Sequence, residues 1–141
     1  MLHSPGMSRV LVVDDNADAR EMIATMLRTA GYDVSLAADG KEGVERYAEL
    51  RPALVLADIF MPGMDGIGMI REIRRKFPDA RIIAMSAGWN VPNLEVSGEL
   101  RDLDVLAVAK TVGADHVLAK PLDRSTVTTA VAAVLAGPAG A

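Results

Sequence analysis

A run of branched apolar residues that ends on a carboxylate sets the architecture of this chain. From Ala53 the sequence reads A-L-V-L-A-D-I-F-M-P-G-M-D-G to Gly66, and Asp58 closes its aliphatic stretch. A run with no alternating polar face belongs to a strand covered on both sides, which means a parallel sheet between layers of helix. In such sheets the reactive groups collect at the carboxyl ends of strands, so Asp58 stands where chemistry is expected. Pro62-Gly63 suits a type II turn, because Gly accepts positive φ there. Asp65-Gly66 then opens a helix, with Asp65 placed to accept amides of its first turn.

The same unit recurs along the chain. Arg9 to Val13 is a second apolar run, ended by Asp14-Asp15. Asn16 is the predicted cap of a helix in which Ile23, Met26, Leu27 and Ala30 keep helical spacing, with Gly31 as its stop. Tyr32 to Ala37 reads as a shorter strand nearer a sheet edge, and Asp39-Gly40 leads into a helix through Val44, Tyr47 and Ala48 that stops at Arg51-Pro52. Beyond the central strand, Ile67, Ile70, Ile73 and Phe77 mark the buried stripe of a third helix, ended by Pro78.

Arg81 to Met85 is the fourth strand, followed by Ser86-Ala87-Gly88, small residues that let a ligand approach the backbone. Residues 89–101, with Trp89, Pro92 and Gly98, break the rhythm. A helix resumes near Asp102 through Leu103, Leu106 and Ala109, and Gly113 ends it. His116 to Ala119 is the last strand, Lys120-Pro121 the junction and Asp123 the cap of a final helix, whose Val127, Ala130, Val131, Val134 and Leu135 keep helical spacing. Five strands alternating with five helices make an open, doubly wound α/β sheet, since a closed barrel of such units needs eight.

Composition narrows the function classes. The chain has 141 residues, enough for one domain with a substantial core. No apolar run approaches the ~20 residues that span a bilayer, and no secretory pattern precedes the first strand. The absence of cysteine excludes disulfides and thiolate metal sites and suits a cytoplasmic location. A net charge of −4 gives no electrostatic ground for binding nucleic acid. Residues 1–8 are expected to be a flexible leader, 9–136 the domain, and 137–141, rich in Ala, Gly and Pro, a flexible tail.

The strands deliver a constellation to one edge: Asp14 and Asp15 from the first, Asp58 from the third, Ser86 from the fourth and Lys120 from the fifth. Clustered carboxylates repel, and a cation compensates them. With no Cys and no paired His, the natural ion is a hard one with oxygen ligands, Mg²⁺ above all. Mg²⁺ uses few protein carboxylates, which leaves positions for phosphate oxygens. A carboxylate such as Asp58 can act as nucleophile in phosphoryl transfer when a metal and a fixed cation neutralise the charge on the equatorial oxygens. Lys120 is suited to be that cation, and Ser86 to donate a hydrogen bond to another oxygen.

The segments V-L-V-V-D-D-N, D-I-F-M-P-G-M-D-G, M-S-A and G-A-D-H-V-L-A-K-P, in this order, resemble the receiver domain of two-component response regulators over about Arg9 to Leu135. The resemblance implies the flavodoxin-like strand order 2-1-3-4-5. It implies that Asp58 is the phosphoacceptor, fed by a sensor histidine kinase or histidine phosphotransfer protein. Asp15 would bind Mg²⁺ directly and Asp14 largely through water, with the carbonyl of Phe60 as a further ligand. Ser86 would be the switch hydroxyl, Lys120 the phosphate-binding lysine, and the Lys120-Pro121 bond would be cis. Phe60 and Gly88 would flank the water that removes the phosphate.

The sequence departs from the family pattern in two places. The aromatic usually found three residues before the conserved lysine is replaced by Val117, with His116 beside it. The interval from Ser86 to Gly113 is about a dozen residues longer than usual, with the excess in 89–101 beside the expected output face, where it is either a passive surface insertion or, through Trp89, a part of the readout. Because the chain ends soon after the fifth helix, a stand-alone receiver is expected, monomeric or weakly dimeric, whose output is a protein contact or onward phosphotransfer; a domain excised from a longer regulator would read the same. It is not expected to be an enzyme beyond transfer to itself and autodephosphorylation. An aspartyl-phosphate phosphohydrolase of the haloacid dehalogenase type is the alternative, but Phe60 occupies the place of its acid/base Asp and cannot move a proton. A non-phosphorylated interaction module on the same fold is a further alternative, opposed by the intact set of site residues.

Overall fold

Short caps and apolar runs divide the chain much as expected. The structure, a computed structural model, describes residues 8–59, 66–86, 113–119 and 122–137. In chain order the described elements are β1 (Arg9–Val13), α1 (Ala17–Thr29), β2 (Asp33–Ala37), α2 (Gly40–Leu50), β3 (Leu54–Asp58), α3 (Gly66–Lys76), β4 (Ile82–Ser86), β5 (His116–Ala119) and α4 (Arg124–Ala136). The predicted helix near Asp102, the turn at Pro62-Gly63, the Asp65 cap, the segment 89–101 and the Lys120-Pro121 junction lie outside the described residues.

The caps follow from side-chain chemistry. Asn16, Asp39 and Asp123 accept main-chain amides of Ala19, Glu42 and Thr126 at the starts of α1, α2 and α4. Each satisfies a donor that the helix cannot satisfy itself. α2 ends on Arg51, which adopts a left-handed conformation at φ 45° before Pro52. Its guanidinium carbon lies 4.4 Å from the Phe77 ring centroid and 5.9 Å from that of Tyr47, contacts that offset the backbone cost.

All pairings are parallel, and the strands run in the order β2-β1-β3-β4-β5. Because side chains alternate along a strand, each central strand feeds two cores. Leu11, Val13, Val55 and Ala57 pack with Tyr47, Met69, Ile70 and Ile73, from α2 and α3, on one face. Val10, Val12, Leu54 and Leu56 pack with Ile23, Leu27, Val127 and Val131, from α1 and α4, on the other. The stripe of α3 differs in detail from expectation: Met69, Ile70 and Ile73 are fully buried, whereas Ile67 and Phe77 are half-buried. β4 begins and ends one residue later than expected, which makes Ser86 its last residue.

Register sets the working edge. Val13 is paired with Ala57, so Asp14 follows β1 at the level where Asp58 ends β3. Asp58 is paired with Met85, and Ser86 with Ala119. The strand order reverses between β1 and β3, the place where an open α/β sheet leaves a crevice.

Candidate functional site

The crevice brings three acidic side chains together. One carboxylate oxygen from each of Asp14, Asp15 and Asp58 lies within 4.8 Å of the others. Asp14 is fully buried and Asp58 is 6% exposed, whereas Asp15 is open to solvent. Buried carboxylates on rigid strand ends are held with little freedom, and the exposed third leaves the cluster accessible from outside.

Local hydrogen bonds fix the first of these strand ends. The Asp14 amide donates to the Ala37 carbonyl at 3.2 Å, extending the β1–β2 ladder by one residue. The Asn16 amide donates to Asp14 Oδ1 at 3.0 Å. Arg20, on α1, donates from Nη1 to the Asp14 carbonyl at 2.7 Å. At the second strand end the Ile59 amide donates to the Met85 carbonyl at 3.0 Å, and the Gly66 amide donates to the Ile59 carbonyl at 3.3 Å. A Cβ on Gly66 would fall on the carbonyl oxygen of Asp58 and against the Ile59 backbone. The start of α3 therefore packs directly on the main chain that carries Asp58, an approach open only to a residue without a side chain.

Ser86 is 7% exposed at the end of β4, one strand from Asp58. Phe60 and Lys120 lie outside the described residues, as do Gly88 and Trp89. Val117, at the place where the family pattern has an aromatic, is half-buried against the α2/α3 core, and the neighbouring His116 is exposed. The parts played by Arg20 and Gly66 were not legible beforehand. A Gly at the first position of a helix was the available signal for Gly66, and nothing in the sequence pointed Arg20 at a carbonyl.

The donor set offers oxygen alone, which suits a hard divalent cation and not a thiophilic one. One oxygen from each of the three lies within 4.8 Å of the others, close enough for a single ion to be shared among them. The cluster is thus consistent with Mg²⁺ binding as in receiver domains. No described helix is long and apolar enough to cross a membrane.

Comparison with known proteins gives the same result. Residues 10–132 match the family described as the response regulator receiver domain. The chain is 49% identical over 80 residues to the chemotaxis protein CheY of Thermotoga maritima, covering 56% of this chain and 67% of that protein. It is 36% identical over 130 residues to the chemotaxis protein CheY of Treponema pallidum, covering 90% of this chain and 82% of that one. It spans only 44% of the length of the DNA-binding response regulator MtrA of Mycobacterium tuberculosis, which it also matches. Among solved structures, the CheX-CheY-BeF3-Mg complex from Borrelia burgdorferi superposes with a TM-score of 0.76 at 30% identity, covering 90% of this chain and 88% of that one. With its parallel sheet in the order 2-1-3-4-5, its acidic cluster at the carboxyl edge and a family match over most of its length, this chain belongs to the CheY-like receiver domains of two-component response regulators.

Proposed function

We propose that residues 9–136 form a phosphoacceptor receiver and that Asp58 is the residue phosphorylated, with 1–8 and 137–141 as flanking segments. The observation that carries this reading is the convergence of Asp14, Asp15 and Asp58 within 4.8 Å at the end of a buried strand. Asp58 attacks the phosphorus of a phosphohistidine on a sensor kinase or phosphotransfer protein. An O–P bond forms, the P–N bond breaks, and its electron pair returns to the imidazole. Asp14, Asp15, Asp58 and the Phe60 carbonyl would hold Mg²⁺, which when bound neutralises phosphoryl charge. Ser86 donates a hydrogen bond to a phosphoryl oxygen, and Lys120 offsets the remaining charge.

The consequence of transfer is a changed protein–protein surface, not turnover of a metabolite, and the protein works in the cytoplasm as a monomer or weak dimer without touching nucleic acid itself. A protein partner for this chain is in keeping with the CheX-CheY complex of that neighbour. The test is intact mass after incubation with acetyl phosphate and Mg²⁺. The parent gains one phosphoryl group, and Asp58→Asn or added chelator abolishes the gain. An adduct of undiminished yield on Asp58→Asn would move the acceptor elsewhere.

A further inference from the structure

The link between β1 and α1 is three residues long, and two of them are acidic members of the cluster. Each peptide unit is planar, so its orientation is set by whatever binds its carbonyl or its amide. The unit joining Val13 to Asp14 is held through the Asp14 amide on the Ala37 carbonyl. The unit joining Asp15 to Asn16 is held through the Asn16 amide on Asp14 Oδ1. The middle unit, from which both Asp14 and Asp15 spring, is held through the Asp14 carbonyl by Arg20 Nη1 at 2.7 Å. The Arg20 amide also donates to the Asn16 carbonyl at 2.9 Å, so the residue that holds this unit is itself anchored to the loop.

We propose that Arg20 is a positioning residue for the magnesium site, aiming the Asp14 and Asp15 carboxylates by fixing the peptide between them. This rests on the reading of the acidic cluster as the Mg²⁺ site. The role is separable from charge, because the two effects have opposite signs. A fixed positive charge on the residue that bonds the Asp14 carbonyl opposes uptake of another cation, so removing it strengthens magnesium binding if charge dominates. Loss of aim weakens binding, since groups that orient metal ligands are worth about 10–100-fold in affinity.

The experiment is calorimetric titration of Mg²⁺ into the parent, Arg20→Met and Arg20→Lys, with thermal melts in the absence of metal to establish that each is folded. Arg20→Met keeps length and apolar contact without the donor, and it is expected to bind Mg²⁺ about tenfold more weakly. Arg20→Lys restores a donor and recovers most of the affinity. In magnesium-free protein, hydrogen exchange at the Asn16 amide is faster in Arg20→Met than in the parent. Magnesium binding by Arg20→Met that equals or exceeds the parent's overturns the proposal, as does a lysine variant as weak as the methionine one. A parent that takes up no magnesium overturns the cluster reading as well, whereas a binding parent with an indifferent methionine variant overturns Arg20's role alone.

Discussion

Gly66 is where a missing side chain decides the position of a functional one. Any Cβ there meets main-chain atoms of Asp58 and Ile59, which cannot swing aside as a flexible side chain would. Gly66→Ala is therefore expected to shift α3 or the end of β3, and to lower both the yield of acetyl-phosphate labelling and the urea midpoint. Alanine's better helix propensity, worth about 1 kcal/mol, does not compensate for overpacking of about 1–3 kcal/mol. Labelling at parental yield and stability would show that the contact relaxes freely. Asp14, Asp15, Asp58 and Ser86 were legible as strand-end residues because each closes or follows an apolar run. Gly66 was marked only as a helix-opening glycine and Arg20 not at all, because their partners are backbone atoms, which the sequence does not point to.

The described helices were legible nearly to the residue where a cap or stop is written into the chain, as with Asn16, Asp39 and Asp123. Boundaries drifted where only periodicity spoke, as at β4. Long-range clasps between elements were invisible. Arg74 of α3 donates to the Gly113, Pro78 and Ala80 carbonyls and pairs with Asp115 Oδ2 at 3.1 Å, while Asp115 Oδ2 also accepts the Ile82 amide at 2.8 Å. This largely buried pair ties α3 to the entries of β4 and β5. Arg74→Met is expected to cost roughly 3 kcal/mol in urea unfolding, as for a buried ion pair that loses one partner, and Asp115→Asn, which keeps an acceptor for Ile82, about 1 kcal/mol. Equal costs would contradict the clasp. Asp123 titrates in a second test. The Thr126 amide it accepts holds its carboxyl below the usual range. A carboxyl lowered in the folded state contributes fully above its unfolded value of about 3.9, and that contribution is lost as pH falls through the folded value. The melting-temperature gap between the parent and Asp123→Ala should accordingly be widest near neutrality and close on acidification. A gap independent of pH would show that the cap acts without its charge.

For the molecule as a whole, the alternation of apolar strands and amphipathic helices fixed the class of fold, and register then placed the acidic residues together. Clustered like charges leave the metal-free protein less stable than it need be, and a cation that binds only the folded form stabilises it by mass action. Mg²⁺ at a hundred times its dissociation constant is thus expected to add about 2.7 kcal/mol to the unfolding free energy. Asp15→Asn should lose that gain while raising metal-free stability by up to about 2 kcal/mol, about 1 kcal/mol for each of the two carboxylates it faces at ~4 Å in water. A stability that ignores magnesium in the parent would contradict a shared cation site. The most direct test of Asp58 as acceptor is chemical trapping. An acyl phosphate is reduced by borohydride to an alcohol, converting the modified aspartate to homoserine that peptide mass spectrometry locates. After acetyl phosphate and Mg²⁺, homoserine at position 58 is the expected result. Homoserine at another aspartate, or none in protein that carries the phosphoryl mass, would contradict it.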